Sequence, residues 1–172
     1  MKRSHIYHPF LFVLFPVLSL YSYNVGQVFF PSVLPVLVIL LVGTLLAFSF
    51  LNWLLKNGSK AGLIISLFVL SFFSYGHVYD YGWQLGRFLP HRFFILLWAA
   101  VFMVGAILIV LSQRDARNLT KILNFISISL IVVSSSEILL SNFQTESYGY
   151  NLHDSVNIGQ APLKTVTELE MY

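Results

Sequence analysis

Six ionisable side chains lie at or near the ends of apolar runs, where a buried charge is costly and a charged residue is typically functional. His77 and Asp80 are three residues apart, so they share one face if that segment is helical. Glu137 lies about five residues inside the end of a later apolar run. The complete set of candidate site residues is His77, Asp80, Arg87, His91, Arg92 and Glu137.

This set admits three kinds of chemistry. His77, Asp80 and Glu137 offer nitrogen and oxygen donors of the kind that zinc binds, and the same groups could relay a proton or a substrate. The basic members could instead recognise a polar lipid headgroup. A structural cluster, in which Arg87 or Arg92 neutralises Glu137 and Asp80, is the interpretation that the pattern favours. We therefore predict no catalytic residue, no bound metal and no cofactor.

The composition defines the environment in which these residues must lie. Hydrophobic residues make up 57% of the 172, charged residues only 10%, and the mean hydropathy is +0.77. A soluble domain is about 25% charged, so this chain lacks the charged surface that such a domain needs. The composition excludes a soluble globule, a disordered chain and a nucleic-acid-binding module, and it predicts a polytopic membrane protein. The absence of cysteine excludes disulfides and thiolate metal sites.

Five apolar runs predict an all-α bundle of five transmembrane helices. The first run is short, contains Pro16 and follows a basic start, so a cleaved signal peptide is the alternative; no small-residue cleavage site follows it. The predicted spans are 9–23, 30–55, 61–78, 93–113 and 122–142. Residues 143–172 are predicted to form a polar, thinly structured tail or linker.

The basic residues between the runs predict the orientation. With the N-terminus in the cytoplasm, seven basic residues lie inside and three outside, and the opposite orientation reverses this count. We therefore expect a multi-pass protein of the prokaryotic inner membrane with an extracytoplasmic C-terminus. The inside residues are Lys2, Arg3, Lys56, Lys60, Arg114, Arg117 and Lys121, and the outside residues are Arg87, Arg92 and Lys164.

Small residues recur within the runs at the interval that suits helix packing. Gly43 with Ala47, and Gly62 with Ser66, form pairs four residues apart, which let helix backbones approach closely. Ordinary packing within the bundle is the simplest interpretation of both pairs, and a dimer interface is the alternative.

Several stretches carry a resemblance to a known family. They are HPFLFVLFPVL at 8–18, LYSYN at 20–24, LSFFSYGHVYD at 70–80 and NLTKILN at 118–124. With shorter matches between Gly86 and Trp98, they resemble the N-terminal membrane domain of prokaryotic membrane-bound hydrolases of the sulfatase and alkaline-phosphatase superfamily. In that family, a metal-dependent extracytoplasmic hydrolase domain follows the membrane domain. None of its catalytic residues has a counterpart position in this chain.

The resemblance implies a membrane anchor or scaffold that holds a hydrolase domain or a lipid-linked substrate close to the bilayer. The expected partners are the lipid bilayer, a lipid headgroup or a downstream extracytoplasmic hydrolase domain. A truncated enzyme, a split gene and a free-standing protein all remain open. The alternative function is a transporter subunit or accessory protein of an envelope complex. We expect this chain alone to hydrolyse nothing.

Overall fold

The computed structural model describes residues 5–84, 90–113 and 115–159. The described chain is all α-helical apart from short connections, and it contains five α-helices. They are α1 (His8–Tyr23), α2 (Leu34–Leu55), α3 (Gly58–Gln84), α4 (His91–Leu111) and α5 (Arg117–Gly159). A short 3₁₀ helix, Phe30–Ser32, precedes α2, and Gly26 takes the positive φ of 87° that the tight turn after α1 requires.

The helices confirm the predicted all-α class, and four of them are long and apolar enough to cross a membrane. These four are Phe30–Leu55, Gly58–Gly82, His91–Leu111 and Arg117–Ser141. The 16-residue α1 is apolar but shorter than the roughly 17 residues that a spanning helix usually needs. The most apolar stretch of α4 has none of its residues buried within the chain, and that of α2 has only 6% buried. Such surfaces suit hydrocarbon rather than water.

Helices α1 and α3 form the centre of the bundle. Phe12 and Val13 of α1 pack against Ile65 and Val69 of α3, and all four side chains are buried. Helix α1 also packs extensively against α5 and against α2, whereas α4 packs against α3. Each end of the bundle is named below after one residue of α5, as the Asn124 end and the Glu137 end.

A repeat of small hydroxyl residues explains how α5 approaches α1. Thr120, Ser127 and Ser134 are spaced seven residues apart, which is about two helical turns, and each is 0–1% exposed. Short side chains on one face let two backbones come close where hydrocarbon gives no other drive for association. Leu123 and Leu130, three residues after the first two, join the core.

Helix α5 continues far beyond its apolar segment. Its 43 residues correspond to about 65 Å, roughly twice the hydrocarbon thickness of a bilayer. The expectation of a thinly structured tail is therefore wrong for residues 143–159, which are helical; residues 160–172 lie outside the described part. The helix formed by residues 117–142 is already nucleated, so each further residue costs only its own propensity, about 1 kcal/mol for a glycine such as Gly149.

Candidate functional site

His77 and Asp80 both lie on α3, because that helix continues to Gln84. Both side chains are exposed. His77 lines an apolar cavity of about 620 Å³ between α1 and α3, together with Pro16, Ser19 and Phe73.

The two basic residues at the start of α4 contact aromatic rings. The imidazole of His91 packs edge-on against Tyr79, with 4.9 Å between ring centroids, and its Nδ1 lies 3.2 Å from the hydroxyl of Tyr75. The guanidinium of Arg92 lies over the ring of Phe93 at 5.1 Å from its centroid. Contacts of this kind are typical of an interfacial aromatic belt, where rings with a polar edge accept both apolar and polar neighbours.

Glu137 takes a serine as its partner. The hydroxyl of Ser22, near the end of α1, lies 3.1 Å from Oε2 of Glu137 and 2.7 Å from the carbonyl oxygen of Ser19, so it can donate to either. Glu137 occupies the position in the seven-residue repeat that Leu123 and Leu130 fill earlier. Its half-buried side chain is consequently directed at α1.

The described members of the predicted set thus have different partners: His91 and Arg92 contact aromatic rings, and Glu137 contacts Ser22. Within the described residues Glu137 has no ion pair with a cation or with His77; α1 packs against both α3 and α5, and Glu137 contacts Ser22 of α1. Arg87 lies outside the described part, so its pairing with Asp80 or with Glu137 stays a prediction. The described chain holds no group of three or more histidine or acidic side chains placed to bind a metal.

A second polar site, which the sequence interpretation missed, lies at the Asn124 end. Oδ1 of Asn124 accepts hydrogen bonds from the backbone N–H groups of Tyr7 and His8, at 3.0 and 2.9 Å. Its Nδ2 donates to the carbonyl oxygen of His5 at 2.7 Å. The first N–H groups of a helix have no partner within the helix, and Tyr7 provides no side-chain cap. Asn124 of α5 therefore supplies from another helix the cap that α1 lacks.

The same N-terminal segment fits against small residues of α3. If Gly62 carried a side chain, its Cβ atom would lie 2.7 Å from Cγ2 of Ile6 and 3.4 Å from the ring of His8. A Cβ atom at Gly58 would lie 3.2 Å from Cδ1 of Ile6. Gly58, Gly62 and Ser66 follow one another at intervals of four residues. The Gly62 and Ser66 pair therefore has a packing role within the bundle, because the segment that begins α1 packs closely against it.

His8 and Ser66 form a buried hydrogen-bonded pair. Nδ1 of His8 lies 2.6 Å from the hydroxyl oxygen of Ser66, and the two residues are 0% and 1% exposed. The distance would suit a base and its nucleophile. Full burial, however, leaves no approach for a substrate unless α1 separates from α3. The pair is therefore a structural contact that fixes the ring of His8, whose Nε2 has no partner within the described chain.

The two polar sites together define what we call the α1–α5 seam: His8 with Asn124 at one end, and Ser22 with Glu137 at the other. The tied residues are fourteen apart on α1 and thirteen apart on α5, or about 20 Å along each helix. The two helices are therefore parallel and in register over most of the length of α1.

Two signals in the sequence could have indicated the seam. Asn124 is a strongly hydrogen-bonding side chain in a mostly apolar run, and the repeat Thr120, Ser127, Ser134 marks one helical face. Neither signal identifies α1 as the partner.

Comparisons with family models, with curated proteins and with solved structures find no match for this chain.

Proposed function

We propose that this chain is a five-span membrane anchor that carries α5 out of the bilayer as a helical stalk. In this proposal the N-terminus is cytoplasmic, the C-terminus is extracytoplasmic, and the membrane is the prokaryotic inner membrane. The seven-to-three distribution of basic residues supports this orientation.

The α1–α5 seam is the observation that carries the proposal. The apolar segment of α5, Arg117–Ser141, is long enough to cross a membrane. The ties at both ends of α1 and its parallel direction support the proposal that α1 lies at the same depth as that segment. In this proposal α1 makes a fifth crossing, which is compatible with both ties and puts the two termini of the bundle on opposite sides.

The length of α5 supports the stalk. After Ser141 the helix continues for eighteen residues to Gly159, which is about 27 Å. A continuous helix transmits position and orientation from the bilayer to whatever it carries, whereas a flexible linker does not. The resemblance described above suggests a sulfatase-like hydrolase domain as the partner, and this part of the proposal depends on that resemblance alone.

A pair of fusions tests the orientation. Alkaline phosphatase fused after Tyr172 should be active, because the enzyme folds only outside the cytoplasm, and green fluorescent protein fused at the same place should be dark. The opposite pattern would contradict the proposal.

Spin labels test the stalk. Ser136→Cys and Asn157→Cys are twenty-one residues apart, so a continuous helix separates their backbones by about 32 Å. A narrow distance distribution near that value is expected in lipid nanodiscs, and a broad, shorter distribution would refute a rigid stalk. The chain has no native cysteine, so no background label interferes.

A further inference from the structure

Two adjoining cavities at the Asn124 end of the bundle have opposite character. One, of about 470 Å³, is polar and lies between the connection from α2 to α3 and the connection from α4 to α5. The other, of about 400 Å³, is apolar and is lined by Leu63 of α3, Leu108 and Ile109 of α4, and Leu119 of α5. Lys60 and Asp115 are among the residues that line both, so the two form one amphipathic cleft.

The polar half of the cleft is basic. Lys56, Lys60 and Arg117 line it, against the single carboxylate of Asp115. Asp115 forms an ion pair with Arg117, with 3.5 Å between Oδ2 and Nε. Nζ of Lys60 donates a hydrogen bond to the carbonyl oxygen of Val110 at 2.7 Å. Lys56 ends α2 with a φ of 50°, a left-handed conformation that glycine adopts at lower cost. The surplus positive charge suits an anion.

The apolar half opens sideways. Helix α4 packs against α3, and its contact with α5 is marginal at most within the described residues, so a gap separates α4 from α5. Both helices are long and apolar enough to cross a membrane, so this gap faces hydrocarbon. A water-soluble phosphate would leave the apolar half empty, whereas an acyl chain would fill it.

We infer that this cleft binds an anionic phospholipid, with the phosphate between Lys56, Lys60 and Arg117 and part of an acyl chain between α4 and α5. Basic pockets between transmembrane helices on the cytoplasmic side are typical sites for anionic headgroups. The inference uses the membrane placement proposed above. It does not use the stalk, so either can fail while the other holds.

Native mass spectrometry of the full-length chain, purified and delipidated in detergent, tests the lipid preference. The probes are dioleoyl phosphatidic acid and dioleoyl phosphatidylcholine, which share their acyl chains and differ in net charge. We expect the phosphatidic acid to bind about tenfold more tightly or better, because each basic side chain near the phosphate contributes about fivefold. Equal affinity for the two lipids would overturn the inference.

Charge variants locate the headgroup. Lys56→Gly removes a cation and relieves the left-handed backbone, so we expect the fold to keep its stability in this variant. Lys56→Gly and Arg117→Gln should each weaken phosphatidic acid binding about fivefold. Lys121→Gln is the matched control, since it removes the same charge from an exposed position of α5 that does not line the cleft. A loss in the control as large as in Arg117→Gln would contradict the assigned site.

Two further experiments test where the acyl chain binds and whether the phosphate belongs to a lipid or to a soluble molecule. Leu108→Trp should fill the apolar half and weaken lipid binding severalfold, whereas Leu96→Trp, on the exposed surface of α4, should leave it unchanged. Inorganic phosphate and glycerol 3-phosphate should leave the melting temperature unchanged, while phosphatidic acid raises it. Stabilisation by the soluble phosphates equal to that by the lipid would overturn the lipid assignment.

Discussion

Replacing Asn124 by leucine should loosen the start of α1 from the rest of the bundle. Leucine has a similar size but can make none of the three hydrogen bonds that Asn124 makes to His5, Tyr7 and His8. A hydrogen bond contributes about 1 kcal/mol net in soluble proteins and about 0.6 kcal/mol on average in a membrane protein. Three bonds therefore contribute about 2–3 kcal/mol to the free energy of unfolding.

The assay is reversible unfolding of the purified chain in mixed micelles, titrated with a denaturing detergent. Asn124→Asp keeps the acceptor for the two N–H groups and puts a negative charge at the N-terminus of α1, where the helix dipole favours it. It loses the donor to His5, so its cost should be about 1 kcal/mol. Asn124→Leu should thus be clearly worse than Asn124→Asp.

Ser129→Ala is the matched control for this prediction. Ser129 is exposed on α5, and within the described residues its hydroxyl donates to the carbonyl oxygen of Phe125 on its own helix. Its replacement should change the free energy of unfolding by less than about 0.5 kcal/mol. The reasoning would be refuted if Asn124→Leu cost no more than Ser129→Ala, or if Asn124→Asp were the more damaging of the two Asn124 variants.

Three further predictions concern the contacts of α3. Ser66→Ala should lower the free energy of unfolding by about 1–3 kcal/mol in the same titration, because it removes the hydrogen bond to the buried ring of His8. An unchanged midpoint of the detergent titration would contradict a stabilising role of this hydrogen bond. Gly62→Leu should lower the free energy of unfolding by about 1–3 kcal/mol, because the new side chain displaces the start of α1. Gly43→Ala, whose new Cβ meets nothing within 4 Å, should be neutral or slightly stabilising. Similar effects of the two variants would refute the close packing of the start of α1 on Gly62. Trp98→Phe should cost about 1 kcal/mol and loosen α4, because the indole N–H donates to the carbonyl oxygen of Ser71 at 2.7 Å; unchanged hydrogen exchange in α4 would contradict this.

The helices could be predicted from the sequence because hydropathy and length alone define them. The runs 30–55 and 93–113 correspond closely to Phe30–Leu55 and His91–Leu111. Helices α3 and α5 extend beyond the predicted spans that end at 78 and 142, because helix continues into polar sequence that hydropathy does not score. Element ends in polar sequence depend on caps and propensity, which give a weaker signal than burial.

The pairing of helices could not be predicted in the same way. A glutamate near the end of an apolar run suggests a cation as its partner, and among the described residues Glu137 also has a partner that the sequence does not indicate, the hydroxyl of Ser22. The choice depends on α1 lying against both α3 and α5, and no local pattern encodes such an arrangement. The same holds for Asn124, whose partners are backbone groups near residue 7 that present no side-chain signal.

The crossing of the membrane by α1 is the central claim, and labelling of single cysteines tests it most directly. His5→Cys and Gln27→Cys place an exposed thiol before and after α1. In intact cells, a membrane-impermeant maleimide should label the cysteine at position 27 and leave that at position 5 unlabelled until the cells are permeabilised. Equal labelling of both positions in intact cells would mean that α1 does not cross the bilayer, and it would contradict the five-span anchor.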